Sequence, residues 1–173
     1  SITIPNSVET IGDSAFSRCD KLMEFKGKFA SGDKVCLINN GRLIQVANGI
    51  GKQLLDYTIP AEVTHIGDSV FSGYSNLNSI TIPEGIVDIG IEAFASCSNL
   101  IDITIPSTVT NIGTKAFFGC SRITAIYFRG STPPQVYEGE YNKGLKTAND
   151  GTIIRVPDEY VDVYKSSFWG DYY

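Results

Sequence analysis

Short alternating runs recur along the chain. Ile2-Thr3-Ile4, Tyr57-Thr58-Ile59, Ile80-Thr81-Ile82 and Ile103-Thr104-Ile105 each set two apolar side chains on one face and a threonine on the other. A period of two predicts short, half-buried strands. Each run ends in proline (Pro5, Pro60, Pro83, Pro106), which has no N–H to donate and so stops a ladder. An apolar pair three residues apart follows, such as Val8 with Ile11 or Val63 with Ile66, and predicts a second short extended segment. A glycine comes next (Gly12, Gly67, Gly90, Gly113), read as a tight turn of positive φ, and then one helical turn carrying Ala-Phe or Val-Phe. Asp13 and Asp68 are expected to cap that turn, although Ile91 and Thr114 hold the same place.

The four segments superimpose without gaps. Pro60, Pro83 and Pro106 are spaced by 23 positions, whereas Pro5 lies 55 before Pro60. A fixed period of this size belongs to solenoids, whose units bury their apolar faces only against neighbours. The shared pattern is I-x-I-P-x-x-V-x-x-I-G-x-x-A-F-x-x-C-x-x-L.

That pattern resembles the BspA-like leucine-rich repeats of bacterial surface proteins, across residues 2–128. The resemblance implies an α/β, right-handed solenoid with a parallel sheet along one side and short helical turns opposite. It further implies export to the cell surface, or secretion, and a binding or adhesive role. It transfers no catalytic residue.

Two stretches break the period. In residues 22–53, Val35–Asn39 and Arg42–Val46 flank Asn40-Gly41, the signature of a type I′ hairpin that extends or covers the sheet. Residues 130–173 hold a long loop and then Ile154-Arg155-Val156-Pro157, which restores the strand frame. Asp158 is expected to cap a helix over 159–165 with Tyr160, Val163 and Tyr164 on its apolar side, and Trp169 to close the core. The chain thus divides into a solenoid, 1–129, and a loop with a C-terminal cap, 130–173. Seven strands are expected in one sheet, at 2–4, 25–27, 57–59, 80–82, 103–105, 126–128 and 154–156. Ser1 opens directly at a strand without a cap or a preceding leucine, so upstream repeats or a leader are expected to be missing from this fragment.

Composition narrows the chemistry. The 173 residues carry 14 Lys plus Arg against 19 Asp plus Glu, a formal net charge of −5, and no basic cluster, which disfavours nucleic acid. No apolar run reaches bilayer length, so no membrane insertion by this fragment is expected. The single histidine, His65, excludes a site of paired histidines and is read as a solvated surface residue. Cys19, Cys97 and Cys120 share one repeat position, where Tyr74 stands in the second unit. Neighbouring coils bring Cys97 and Cys120 within bridging reach. Cys19 has no such neighbour, so the position is read as a buried free thiol. Cys36 has no sequence partner. No nucleotide or metal motif occurs, and no cofactor or metal is expected.

Two functions of different class fit the pattern. A non-enzymatic, monomeric binding module would use the outward columns Glu24, Asp56, Ser79, Asp102, Ala125 and Lys26, Thr58, Thr81, Thr104, Tyr127 to contact a protein or glycan. Selectivity would come from breaks in the regular face, so Tyr127, Tyr137 and Tyr141 are the expected contact patch, with Thr81, Thr104 and Asp102 beside it. The alternative is a carbohydrate-active enzyme of the parallel β-helix type, with Asp56 and Asp102 as its carboxylates. Two coils at strand spacing set them roughly 10 Å apart, slightly beyond an inverting pair. The Ala-Phe turn, where a β-helix would place a third strand, separates the two.

Overall fold

In the computed structural model every I-x-I run forms a strand that ends at or before its proline. The structure describes residues 1–136 and 151–172, apart from Ser14, Ser17, Arg18 and Lys52. In chain order the elements are β1 (Ile2–Ile4), β2 (Phe25–Gly27), β3 (Cys36–Asn39), β4 (Arg42–Val46), α1 (Asn48–Gly51), β5 (Asp56–Thr58) and β6 (His65–Ile66). They continue with β7 (Ser79–Thr81), β8 (Asp88–Ile89), β9 (Asp102–Ile105), β10 (Asn111–Ile112), β11 (Ala125–Phe128), β12 (Gln135–Val136), β13 (Ile153–Arg155) and α2 (Val161–Lys165). The result is a parallel-strand solenoid, mostly sheet with little helix.

The strands stand where alternation put them, to within a residue, yet they do not form one sheet. The I-x-I column splits into β1–β2, β5–β7 and β9–β11–β13. The continuous sheet lies on the other column, in the order β12-β10-β8-β6-β4-β3. The split between β2 and β5 has a clear cause: the hairpin sits between them. Asn40 (φ 50°) and Gly41 (φ 76°) make the type I′ turn. β4 then pairs in parallel with β6, Arg42 opposite His65 and Leu43 opposite Ile66. The hairpin thus does more than extend or cover a sheet. Cys36, Leu43 and Val46 join the main core, whereas Leu37, Ile44 and Ala47 join Ile4 and Phe25 in a second, smaller one. It is a partition with two buried faces.

The turn after each glycine departs from expectation in three ways. It is a run of separate i+3→i turns, as in Ala93 N–H to Gly90 O (3.3 Å), Ala95 N–H to Glu92 O (3.0 Å) and Cys97 N–H to Phe94 O (3.2 Å), with no regular helix. The positive φ falls two residues past the glycine, at Ser69 (58°), Glu92 (55°) and Lys115 (58°). This bend turns backbone N–H groups along the stack: Ser69 donates to Ile91 O, Phe71 to Ala93 O and Gly73 to Ala95 O, at 2.7–2.9 Å. The conserved spacing of the glycines answers to crowding instead. A Cβ on Gly90 would sit 2.6 Å from Asp68 Oδ1 and 2.7 Å from the Gly67 carbonyl carbon. The aspartates also serve the stack, for Asp68 Oδ1 accepts the Ile91 N–H of the next coil at 2.8 Å.

Phenylalanines form the spine of the main core. Phe71, Phe94 and Phe117 stack face to face. Phe16 is outside this ladder, half-buried in the smaller core with its edge toward Phe25. At the C-terminal end Trp169 and Tyr164 are buried against Phe128, with centroids 4.8 and 5.3 Å away. Trp169 Nε1 donates to Pro134 O (2.7 Å) and the Tyr164 hydroxyl to Gly130 O (3.1 Å). The cap therefore closes the core as expected, with two corrections. Asp158 makes no capping bond, because it is already inside a 3₁₀ turn, Asp158–Tyr160, that precedes α2. Val163 faces solvent, since five residues of helix bury only Tyr164.

Candidate functional site

The outward face of the I-x-I strands follows from register. Asp56 lies opposite Ser79 and Thr58 opposite Thr81 on β5–β7. On β9–β11–β13 the rows are Asp102, Ala125, Ile153 and Thr104, Tyr127, Arg155. Asp102 and Thr81 are exposed and Thr104 is half-buried. Thr81 and Thr104 stand on neighbouring strands, β7 and β9, that are in contact but not joined by a ladder. Ala125, expected outward, is buried. Tyr127 is 38% exposed and points away from the cap that its neighbour Phe128 packs against. Tyr137 and Tyr141 lie outside the described residues.

A shallow groove beside Tyr127 is lined by Phe128, Arg129, Arg155, Val156 and Pro157. Its two arginines are the residues that sequence reasoning passed over. The signal was present in the repeat columns. Arg129 stands where Pro60, Pro83 and Pro106 stand, and Arg155 where Thr58, Thr81 and Thr104 stand.

The carboxylates of the enzyme reading are not brought together as a pair. Asp56 accepts the Ser79 hydroxyl at 2.6 Å on one sheet, and Asp102 sits on another. His65 is likewise committed, not simply solvated. Its Nε2 lies 3.0 Å from Asp88 Oδ2 and its Nδ1 2.9 Å from the Thr64 hydroxyl. Asn111 donates to the other Asp88 oxygen at 2.5 Å. This row across β6, β8 and β10 ties coil to coil through side chains. Arg42 does the same between the hairpin and the first coil, its guanidinium gripping Asp13 through Nε and Nη2. Among the described residues no three His, Cys, Asp or Glu side chains converge as metal ligands.

The thiols are free, and three of the four are buried. The Cys97 thiol meets Phe71 O at 3.2 Å and the Cys120 thiol meets Phe94 O at 3.1 Å, each a carbonyl of the preceding coil. Burial pushes both thiols up, Cys120 to about 12, so neither is a nucleophile near neutrality. Tyr74 fills the same column for a geometric reason. The unit before it is the hairpin, and its longer side chain reaches Val46 O at 3.0 Å. Cys19 corrects the expectation of burial, for it is exposed. Cys36 is buried beside the Ser31 and Tyr57 hydroxyls, and burial raises its thiol too.

These features can be set beside known proteins. The family model for the BspA type leucine rich repeat region matches in six copies, over residues 1–39 and 51–142. A leucine-rich repeat protein from Eubacterium ventriosum is similar at 29% identity and a TM-score of 0.59, over 76% of this chain and 37% of that one. A leucine rich cell surface protein from Faecalibacterium prausnitzii shares the fold at 22% identity and a TM-score of 0.62, over 94% of this chain and 49% of that one. The chain thus spans less than half the length of either. A comparison with the curated proteins finds no match. The period of 23, the stacked coils and the six matched copies carry one conclusion: this chain belongs to the BspA type leucine-rich repeat family.

Proposed function

We propose that the chain is a non-enzymatic, monomeric binding module of a bacterial surface or secreted protein, contacting protein or glycan partners with the outward face of the I-x-I strands. One observation carries this reading. Tyr127 is held half-exposed on that face between Thr104 and Arg155, on a strand whose inner side is locked to the cap. A rigid, amphipathic ring on a preformed surface offers contact area at little entropic cost. The surface setting is supported by the Faecalibacterium relative, a leucine rich cell surface protein. Among the described residues no helix is long and apolar enough to cross a membrane.

The test compares the chain with its Tyr127→Ala variant on a glycan array and on immobilised candidate surface proteins. The expected result is one reproducible ligand whose binding falls in the variant while the unfolding midpoint stays put. Sustained release of unsaturated product from uronic-acid polysaccharides would overturn the non-enzymatic reading.

A further inference from the structure

Three departures from the repeat meet at one place. The column Thr58, Thr81, Thr104 ends in Tyr127 and Arg155, and the column Pro60, Pro83, Pro106 is broken by Arg129 before Pro157 resumes it. All three replacements line the groove beside Tyr127. Fold requirements explain only part of this. Losing the proline lets Arg129 N–H donate to Ile105 O at 3.0 Å, which extends the ladder. Any residue but proline would supply that bond. Nor does folding ask for a charge at Arg129 or Arg155, for both are exposed and neither has an ion-pair partner among the described residues.

We propose that Tyr127, Arg129 and Arg155 form a subsite for an acidic polysaccharide, with a sugar ring stacked on Tyr127 and its carboxylate or sulfate held by the two guanidiniums. This deepens the binding reading above and rests on it. Two cations beside one aromatic ring stand out in a chain of formal net charge −5. The partner they complement is anionic, and guanidiniums grip planar carboxylate and sulfate oxygens in pairs. Register sets the Cα of Arg155 one strand spacing from that of Tyr127, about 5 Å, and the Cα of Arg129 two residues along, about 7 Å, so the two arginines stand on two sides of the tyrosine. The groove also disfavours an acidic peptide. Extended peptides dock largely through main-chain hydrogen bonds to a free strand edge. Here β11, at the centre, has both edges paired, to β9 and to β13. Beside the ring only side chains are on offer; the edge left unpaired on this side is the far one of β13, beyond Arg155.

The experiment titrates the chain by calorimetry with heparin-derived and galacturonate oligosaccharides, with neutral cello-oligosaccharide and oligo-glutamate beside them. The expected result is binding to a sulfated or carboxylated sugar that weakens about tenfold or more in Arg129→Gln/Arg155→Gln and in Tyr127→Ala. It should also be lost near 1 M salt, where the screening length is about 3 Å. Arg122→Gln, an exposed cation outside the groove, should bind as the parent does. No binding to either acidic sugar, equal binding to the neutral one, tighter binding of oligo-glutamate, or undiminished binding in the variants would overturn the subsite. Cleavage of the galacturonate probe on the same samples would instead overturn the non-enzymatic reading and leave the site in place. Unchanged unfolding midpoints separate lost contacts from lost fold.

Discussion

Phe71 and Phe94 occupy the same position in successive coils and lie face to face, their ring centroids 5.2 Å apart and their planes within 6°. Phe117 repeats the arrangement on the far side of Phe94, at 5.6 Å and 3°. Phe94 is therefore enclosed between two like rings. Truncating it should leave a cavity that neither neighbour can fill without losing its own stack. Phe94→Ala is expected to cost about 3–5 kcal/mol, read from a denaturant midpoint. Phe16→Ala should cost less, because Phe16 is only half-buried and meets Phe25 by its edge.

The glycine column gives a sharper contrast. A methyl on Gly90 would meet Gly67 and Asp68 of the preceding coil at well under 3 Å, whereas nothing lies within 4 Å of the same position on Gly12. Gly90→Ala should destabilise by about 1–3 kcal/mol through overpacking. Gly12→Ala should stay within about 0.5 kcal/mol. Equal effects in a urea titration would show that a turn conformation, not coil spacing, requires the glycine.

Stability should fall in alkali. Burial raises the Cys120 thiol from 9.0 to about 12, and raises Cys97 in the same direction. Between those limits the unfolded chain has released protons that the folded chain still holds. The stabilisation is thus complete below about pH 9 and is lost as pH rises towards 12. Urea midpoints taken at about pH 8 and about pH 11 should drop, and Cys120→Ala should flatten the drop. A slope unchanged by that substitution would assign it to other groups.

The partition can be tested through the lone tryptophan. Trp169 belongs to the main core, as does Leu43, while Ile44 belongs to the smaller one. Leu43→Ala should lower the Trp169 fluorescence transition, with a cost of about 2–5 kcal/mol. Ile44→Ala should leave that transition nearly in place and instead open residues 1–27 to limited proteolysis. A shared shift would mean a single core.

Strand positions, the type I′ hairpin and the aromatic cap were all legible, because each rests on local rules: alternation, Asn40-Gly41, and apolar residues at a chain end. What escaped depends on which unit is the neighbour. A consensus treats the copies as equal, so it placed Cys19 with Cys97 and gave Phe16 and Phe71 the same place in the unit. The first coil meets the hairpin instead of a regular coil, and those residues follow their actual surroundings. Likewise the glycines were read as turn formers from their own segment, whereas the constraint comes from Gly67 and Asp68 of the unit before. At the candidate site Tyr127 was visible as an exception in one column. Arg129 and Arg155 needed the register of β11 against β13 to show that exceptions in two columns adjoin.

The hairpin also sets how the molecule would yield to force. Its second strand faces two ways, Leu43 and Val46 into the core of the following coils and Ile44 and Ala47 toward Ile4 and Phe25. A load applied from the N-terminal side meets the smaller core before it meets the larger one. That smaller core acts as a fuse: the first coil would peel off the hairpin while the Phe71–Phe94–Phe117 stack and the face bearing Tyr127 keep their shape. For a stacked solenoid under shear, that places sacrificial extension at one end and leaves the coils at the other in register.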